Sequence, residues 1–311
     1  MLNSGDKIGI VCCSNGQKQY YAEKLKCLET TLREMGLQPV FSEYIYEKED
    51  VFCGTARERA EALMEFYRDD SIKGIFDISG GDVANGVLPY LDYDIIAKSE
   101  KLFWGYSDLT TVLNAIYAKT GKTSVLYQIR NLIYDCKEEQ MVDFRNTVLQ
   151  NEPDLFRWEY EFVQHSKMHG VVVGGNIRCF LKLAGTEYMP DLNGKILLLE
   201  SYSGTVAKME TYLCQLQQMG AFEKVAGILL GTFTEMEEKK CTPGIAELVK
   251  RIAGDKLPMA VTKKIGHGTD AKGIMIGGEL LLLDLKRAEE RAEAEGWIDA
   301  DDLERELGIH D

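Results

Sequence analysis

The segment Lys101-Leu102-Phe103-Trp104-Gly105-Tyr106-Ser107-Asp108-Leu109-Thr110 sets one serine where an apolar stretch gives way to a helical pattern. Leu109, Val112, Leu113 and Ile116 recur at close to the helical period, so the spacing predicts a helix that begins just after Ser107. A hydroxyl on such a strand-to-helix turn can act as a nucleophile, because the first-turn N–H groups and the positive end of the helix dipole favour an oxyanion forming beside it. Gly105 is expected to let the backbone turn tightly there. A serine that merely caps the helix has the same signature, so the segment alone leaves both roles open.

Two later segments can complete the chemistry. Lys195-Ile196-Leu197-Leu198-Leu199-Glu200 ends an apolar run on a carboxylate, and Lys264-Ile265-Gly266-His267-Gly268-Thr269-Asp270 sets a histidine between glycines. The histidines are His165, His169, His267 and His310, so a serine mechanism has few bases to draw on. His267, in a loop between two apolar segments, has the freedom that a base requires; it is otherwise a loop histidine without a role. Glu200 is either an ordinary strand-end carboxylate or the group that orients an imidazole. Gly80-Gly81 is either a tight turn or a pair of backbone N–H donors for a substrate oxygen.

These residues need a frame. Strands are expected over 7–13, 39–42 and 72–78, with helices over 19–35 and from Thr55, an N-cap, to 63; the Ser107 strand and helix follow. Strands alternating with helices give an α/β fold whose N-terminal sheet is mainly parallel, and ligands gather at the carboxyl ends of such strands. From 135 to 169 the pattern turns polar and irregular and reads as a connector with some helix. A second α/β region starts near 170 and runs through Gly174-Gly175-Asn176, the Glu200 strand, a helix over 206–218, a strand over 226–230, the His267 loop and a strand over 279–283. The tail from Lys286 reads as a solvated helix with charges spaced for i,i+4 pairing. The organisation expected is a nucleophile domain over 1–150, a connector over 151–169 and a second domain over 170–311 that carries Glu200 and His267.

Composition narrows the partners. The 311 residues suffice for one large or two ordinary domains, and a formal net charge of −14 argues against nucleic acid or an anionic membrane as a partner. Eight cysteines lie scattered without a Cys-x-x-Cys pair, as buried thiols would. With no N-terminal targeting pattern and no apolar run of about 18 residues, the expected location is the cytoplasm. His165 and His169 are spaced to share a helix face, yet no neighbouring ligand completes a zinc set, so no metal is expected. Cys13-Ser14-Asn15-Gly16 and Gly174-Gly175-Asn176 lack the spacing of dinucleotide or P-loop fingerprints, so no cofactor is expected either.

Taken together the motifs resemble those of the serine LD-carboxypeptidases, the group that also contains the microcin C immunity peptidases. The likeness runs from about residue 5 to 285. It rests on Gly80-Gly81 with Asn85-Gly86-Val87-Leu88-Pro89-Tyr90-Leu91-Asp92-Tyr93, on Gly105-Tyr106-Ser107-Asp108-Leu109-Thr110, on Gly174-Gly175-Asn176, on Leu197-Leu198-Leu199-Glu200 and on Gly266-His267-Gly268. The resemblance implies a two-domain homodimeric enzyme with its active site at the domain interface. It implies Ser107 as nucleophile, His267 as general base, Glu200 as the group supporting His267, and the Gly81 and Asp108 N–H groups as the oxyanion hole. The implied reaction is release of a C-terminal D-amino acid from a peptidoglycan-derived peptide.

Two departures bear on the substrate. Ser79 precedes Gly80 where family carboxypeptidases often carry arginine, and Val125-Leu126-Tyr127-Gln128-Ile129-Arg130 stands where they carry a His-Gly-Pro segment. An aminoacyl- or peptidyl-nucleotide amide is therefore the alternative substrate, with Trp158 or a nearby tyrosine as a shelf for the base. Arg130 and Arg178 are candidates for a substrate carboxylate and equally for surface ion pairs. A non-catalytic α/β binding protein is the third reading, and convergence of Ser107, Glu200 and His267 is the feature that separates it from an enzyme.

Overall fold

β1 (Lys7–Val11) exposes its lysine and buries everything after it, as a strand covered on both faces does. It leads through a 3₁₀ turn into α1 (Ala22–Glu34), β2 (Gln38–Phe41) and α2 (Ala56–Arg68). Thr55 caps α2 in a reciprocal capping box with Glu58, so this boundary was legible from side-chain chemistry. β3 (Ile72–Asp77), α3 (Tyr93–Lys98), β4 (Phe103–Gly105), α4 (Thr110–Thr120), β5 (Ser124–Leu126) and α5 (Lys137–Gln150) follow. The remainder comprises β6 (Glu161–Gln164), β7 (Lys167–Asn176), α6 (Ile177–Leu181), β8 (Ile196–Ser201), α7 (Val206–Gln218), β9 (Gly227–Phe233), α8 (Thr234–Glu238), α9 (Ile245–Ala253), β10 (Met259–Val261), β11 (Ile274–Ile276) and β12 (Glu279–Leu283). This computed structural model describes residues 2–284. The tail from Lys286, with His310, lies outside the described residues.

The strands form two six-stranded sheets, ordered β11-β5-β4-β3-β1-β2 and β12-β7-β8-β9-β10-β6. In the first, β2, β1, β3, β4 and β5 run parallel and β11 closes the edge antiparallel. In the second, β7 to β10 are parallel and both edges, β12 and β6, are antiparallel. The α/β expectation therefore holds for both halves. β11, late in the sequence, completes the sheet of the first half, so the chain returns to its N-terminal sheet just after the His267 loop.

Two expectations are corrected. Much of the stretch read as irregular from 135 to 169 is regular: α5 occupies fourteen residues, and β6 joins the second sheet. Some helix is expected there and α5 supplies it; its extent is blurred in the pattern because it buries Gln140 and Asp143 beside Phe144 and Val148. His165 and His169 share no helix face: His165 sits in the turn between β6 and β7 with φ 61°, and His169 is on β7. Among the described residues no group of three or more His, Cys, Asp or Glu is placed to hold a metal ion, and no helix is long and apolar enough to cross a membrane. The adjacent buried thiols of Cys12 and Cys13 pack into different hydrophobic clusters, because consecutive residues leaving β1 point to opposite faces of the sheet.

Candidate active site

Ser107, Gly81 and Asn15 follow β4, β3 and β1, three adjacent parallel strands, so all three stand at the carboxyl edge of one sheet. The turn at Ser107 differs from expectation. It is Ser107 itself that takes the left-handed conformation, with φ 55°. Gly105 is needed for space instead: a Cβ there would stand 2.8 Å from Cβ of Leu109. A serine held in that region costs roughly 1–3 kcal/mol of backbone strain, which the flanking strand and helix must offset. Ser107 opens a short 3₁₀ helix, Ser107–Leu109, that runs straight into α4. The Leu109 N–H bonds the Tyr106 carbonyl, while the Asp108 N–H belongs to the first turn, whose donors have no partner within the helix.

Glu200 lies at the end of β8 and His267 in the loop between β10 and β11. The His267 Nδ1–H donates to Glu200 Oε2 at 2.8 Å; a carboxylate can only accept, which fixes the tautomer and leaves Nε2 for another partner. The carboxylate is 1% exposed and the imidazole 10%, so water hardly screens the pair. Burial is the largest influence on His267 and lowers its pKa, Glu200 raises it by charge and by hydrogen bond, and Arg178 lowers it; the net result lies above the ordinary histidine value. Ser107 and His267 line the same cleft of about 500 Å³, together with Gly80, Gly81, Tyr106, Arg130 and Arg178 among others. A smaller pocket behind it joins Ser107, Glu200 and His267 in one lining. No hydrogen bond joins the Ser107 hydroxyl to His267 among the described residues, and such contacts commonly tighten only when substrate is bound.

The Gly80-Gly81 turn is braced from several sides. The Gly80 carbonyl accepts from Asn15 N–H at 3.2 Å, the Gly81 carbonyl from Arg178 Nη2 at 2.9 Å and the Asp82 carbonyl from Lys182 Nζ at 2.8 Å. Three consecutive carbonyls are thus engaged, while the Gly81 N–H has no acceptor among the described residues. Gly81 adopts φ 125°, and a Cβ there would overlap the Asn15 side-chain amide, whose oxygen holds the Asp82 N–H at 2.9 Å. Only glycine fits this position.

Beneath the turn lies the fully buried carboxylate of Asp108. It accepts from Ser14 Oγ at 2.6 Å, from Ala84 N–H at 2.8 Å and from Lys182 Nζ. The family resemblance points to the backbone N–H of Asp108 alone; no local sequence signal marks this role of its side chain. Lys182 carries no local sequence signal and comes from the other half of the chain. Ser14 and Asn15 had been weighed only as part of a nucleotide fingerprint.

Gly174-Gly175-Asn176 has a mechanical explanation. A Cβ on Gly175 would stand 2.7 Å from Thr110 Oγ1, so glycine lets the first turn of α4 press against β7. Asn114 exchanges two 2.8 Å bonds with the Gly174 backbone, and Thr110 Oγ1 accepts the Asn176 N–H at 3.0 Å. The helix behind Ser107 is thereby locked to the sheet that carries Glu200.

The two candidate arginines part company. Arg178 pairs with Asp82 and the Gly81 carbonyl, whereas Arg130 donates to Gln17 Oε1 at 3.1 Å and to the Tyr106 hydroxyl. Trp158 does not line the cleft; it packs against the main hydrophobic cluster and meets Tyr160 edge-on. The aromatic residues in the cleft wall are Tyr21, Tyr106, Tyr134 and Tyr202, and the Tyr202 ring is 5.2 Å from that of His267.

Comparison with known proteins agrees with this layout. Residues 8–127 match the family model described as the LD-carboxypeptidase N-terminal domain, and residues 169–282 match that of the LD-carboxypeptidase C-terminal domain. A putative carboxypeptidase of Treponema pallidum (strain Nichols) is 28% identical over 303 residues, covering 89% of this chain and 90% of that protein. The microcin C7 self-immunity protein MccF of Escherichia coli is 30% identical over 210 residues, 57% of this chain and 61% of MccF. A solved structure of MccF in complex with glutamyl sulfamoyl guanosine superposes with a TM-score of 0.80 at 23% identity, over 90% of this chain and 93% of that one.

Proposed function

Because the chain belongs to the LD-carboxypeptidase family and is a hydrolase of that type, we propose that it is a serine peptidase in which Ser107, His267 and Glu200 form the catalytic triad. The single observation that carries this reading is the buried His267–Glu200 pair in the wall of the cleft that Ser107 also lines. With Nδ1 committed to the carboxylate, Nε2 takes the proton of the Ser107 hydroxyl as its oxygen attacks the scissile carbonyl carbon. The developing oxyanion is held by the N–H groups of Gly81 and Asp108. The carbon–nitrogen bond then breaks, His267 returns the proton to the leaving amine, and an acyl-enzyme remains on Ser107. Water, deprotonated by the same imidazole, attacks that ester and regenerates the hydroxyl as the product acid departs.

The substrate this reading favours is a peptidoglycan-derived peptide that loses its C-terminal D-amino acid, cleaved by a homodimeric enzyme, both supported by the family resemblance; the cytoplasm as its location is supported by the sequence pattern alone. A second reading, cleavage of an aminoacyl- or peptidyl-nucleotide amide, is favoured by the tyrosines that line the cleft, since exposed Tyr202 and half-buried Tyr21 offer faces for a base. The test is hydrolysis followed by mass spectrometry, comparing wild type with Ser107→Ala on an LD-linked tetrapeptide and a peptidyl-adenylate amide analogue. Serine-dependent release of D-alanine supports the first reading, and cleavage of the nucleotide conjugate alone supports the second. Turnover that survives in Ser107→Ala rejects the mechanism.

A further inference from the structure

Among the described residues, Arg130 stands in the cleft wall without an acid to match it. Its protein partners are neutral, the Gln17 amide oxygen and the Tyr106 hydroxyl, and its guanidinium lies 5.6 Å from the centre of the Tyr106 ring. Its Nε is buried with no hydrogen-bond acceptor. The other arginines nearby are accounted for. Arg59, 2% exposed, donates only to the backbone carbonyls of Gly54, Cys13, Ser14 and Val83, and Arg178 is neutralised by Asp82. Two of the five guanidinium donors of Arg130 go to uncharged groups, so its charge is withdrawn from water on the protein side and left without a counter-ion there.

Its place relative to the nucleophile gives that charge a use. Tyr106 immediately precedes Ser107, and the point where a Cβ on Gly80 would stand is 3.4 Å from the Tyr106 hydroxyl and 3.8 Å from Ser107 Cβ. The phenol that carries the guanidinium therefore borders the nucleophile and the Gly80-Gly81 turn. In a peptide whose last residue is to be released, the terminal carboxylate oxygens lie only about 4–5 Å from the scissile carbonyl carbon by standard bond lengths. An acid one residue beyond the attacked carbonyl therefore stays close to Ser107, on the side bordered by the phenol that Arg130 engages.

We propose that Arg130 is the docking residue for an anionic group on the leaving side of the substrate and so selects what this cleft accepts. This rests on the peptidase reading for its orientation relative to Ser107. The same guanidinium suits the α-carboxylate of a released amino acid and the anionic linker of an aminoacyl-nucleotide conjugate, because each presents oxygens to N–H donors. Arg130 occupies the segment that departs from the family pattern, so its contribution belongs to this chain's own choice of substrate.

The experiment separates binding from turnover. Ser107→Ala protein is titrated calorimetrically with L-alanyl-γ-D-glutamyl-L-lysyl-D-alanine, with the C-terminal carboxamide of the same peptide, and with aspartyl sulfamoyl adenosine. The titrations are repeated with Arg130→Gln or Arg130→Lys added, and hydrolysis of the two peptides and of the nucleotide conjugate is followed with Ser107 restored. The acid is expected to bind roughly 10- to 100-fold more tightly than the carboxamide, the range for a charge-assisted contact. Arg130→Gln should erase that preference and Arg130→Lys should retain part of it. A preference that survives Arg130→Gln overturns the proposal, and so does equal binding of acid and carboxamide together with sulfamoyl binding that ignores Arg130. If the sulfamoyl conjugate alone depends on Arg130, the docked anion is the nucleotide linker. If binding follows Arg130 while neither the peptides nor the nucleotide conjugate is cut, the peptidase reading falls and the docking residue stands.

Discussion

Replacing Glu200 by glutamine tests the centre of the site with little change in volume. Of the influences on His267, only Glu200 raises its pKa; burial and the Arg178 charge both lower it. Without the carboxylate the two lowering influences remain, so the imidazole falls below its ordinary value of about 6.5. A general base acts when neutral, so the acidic limb of kcat/KM, which in wild type rises through a pKa above that value, should move to lower pH in Glu200→Gln. The rate itself should fall. The pair is 2.8 Å long and nearly unscreened, and the lost carboxylate both orients the ring and stabilises the imidazolium, for which roughly 10³- to 10⁴-fold in turnover is the expected scale, about 4–5 kcal/mol. Stability carries the matching sign. A histidine raised in the folded state contributes stability that is fully present below the unfolded pKa near 6.5 and is lost as pH rises through the folded value, so the Tm gap between wild type and Glu200→Gln should narrow upward in pH. Stopped assays of kcat/KM from about pH 5 to 9, with thermal melts over the same range, read both effects. A variant whose acidic limb stays in place and whose rate falls less than about tenfold refutes the assignment of Glu200 as the partner of the catalytic base.

Two other substitutions test the frame around the proposed nucleophile, Ser107. Gly81→Ala puts a methyl onto the Asn15 amide at φ 125°, so the turn must shift and its N–H with it; kcat should drop roughly 10²- to 10³-fold with KM less affected, measured by steady-state kinetics. Lys182→Met leaves the fully buried Asp108 carboxylate without its cation and should cost about 3 kcal/mol or more in unfolding free energy by denaturant titration. A variant within about 1 kcal/mol of wild type would show that Ser14 Oγ and the Ala84 N–H suffice to hold that carboxylate.

Much of the frame was legible in the residues because its signals are local. Thr55 and Glu58 announce a capped helix, the apolar runs of β1 and β8 announce strands buried on both faces, and 206–218 reads as an amphipathic helix and is one. Within 135–169 some helix was legible but the extent of α5 was not, since tertiary packing buries polar residues on it and blurs the apolar stripe. Position in the chain misled as well: β11 lies near the C-terminal end and pairs with β5 in the N-terminal sheet, a long-range contact that no window of sequence encodes.

For the site, the strand-to-helix serine, the strand-end carboxylate and one of four histidines stood out as candidates, and the family resemblance implied the roles of Ser107, Glu200 and His267. Only the tertiary structure decided how they stand. It set His267 against Glu200 across 67 positions of sequence and pressed α4 onto β7 through Gly175. It also buried Asp108 under the Gly80-Gly81 turn with Lys182 from the opposite half, and it distinguished two arginines that look alike in sequence by giving Arg178 a carboxylate and leaving Arg130 without one. Propensity and periodicity act over one or two turns of chain, whereas charge compensation, desolvation and close approach depend on which distant segments meet in space.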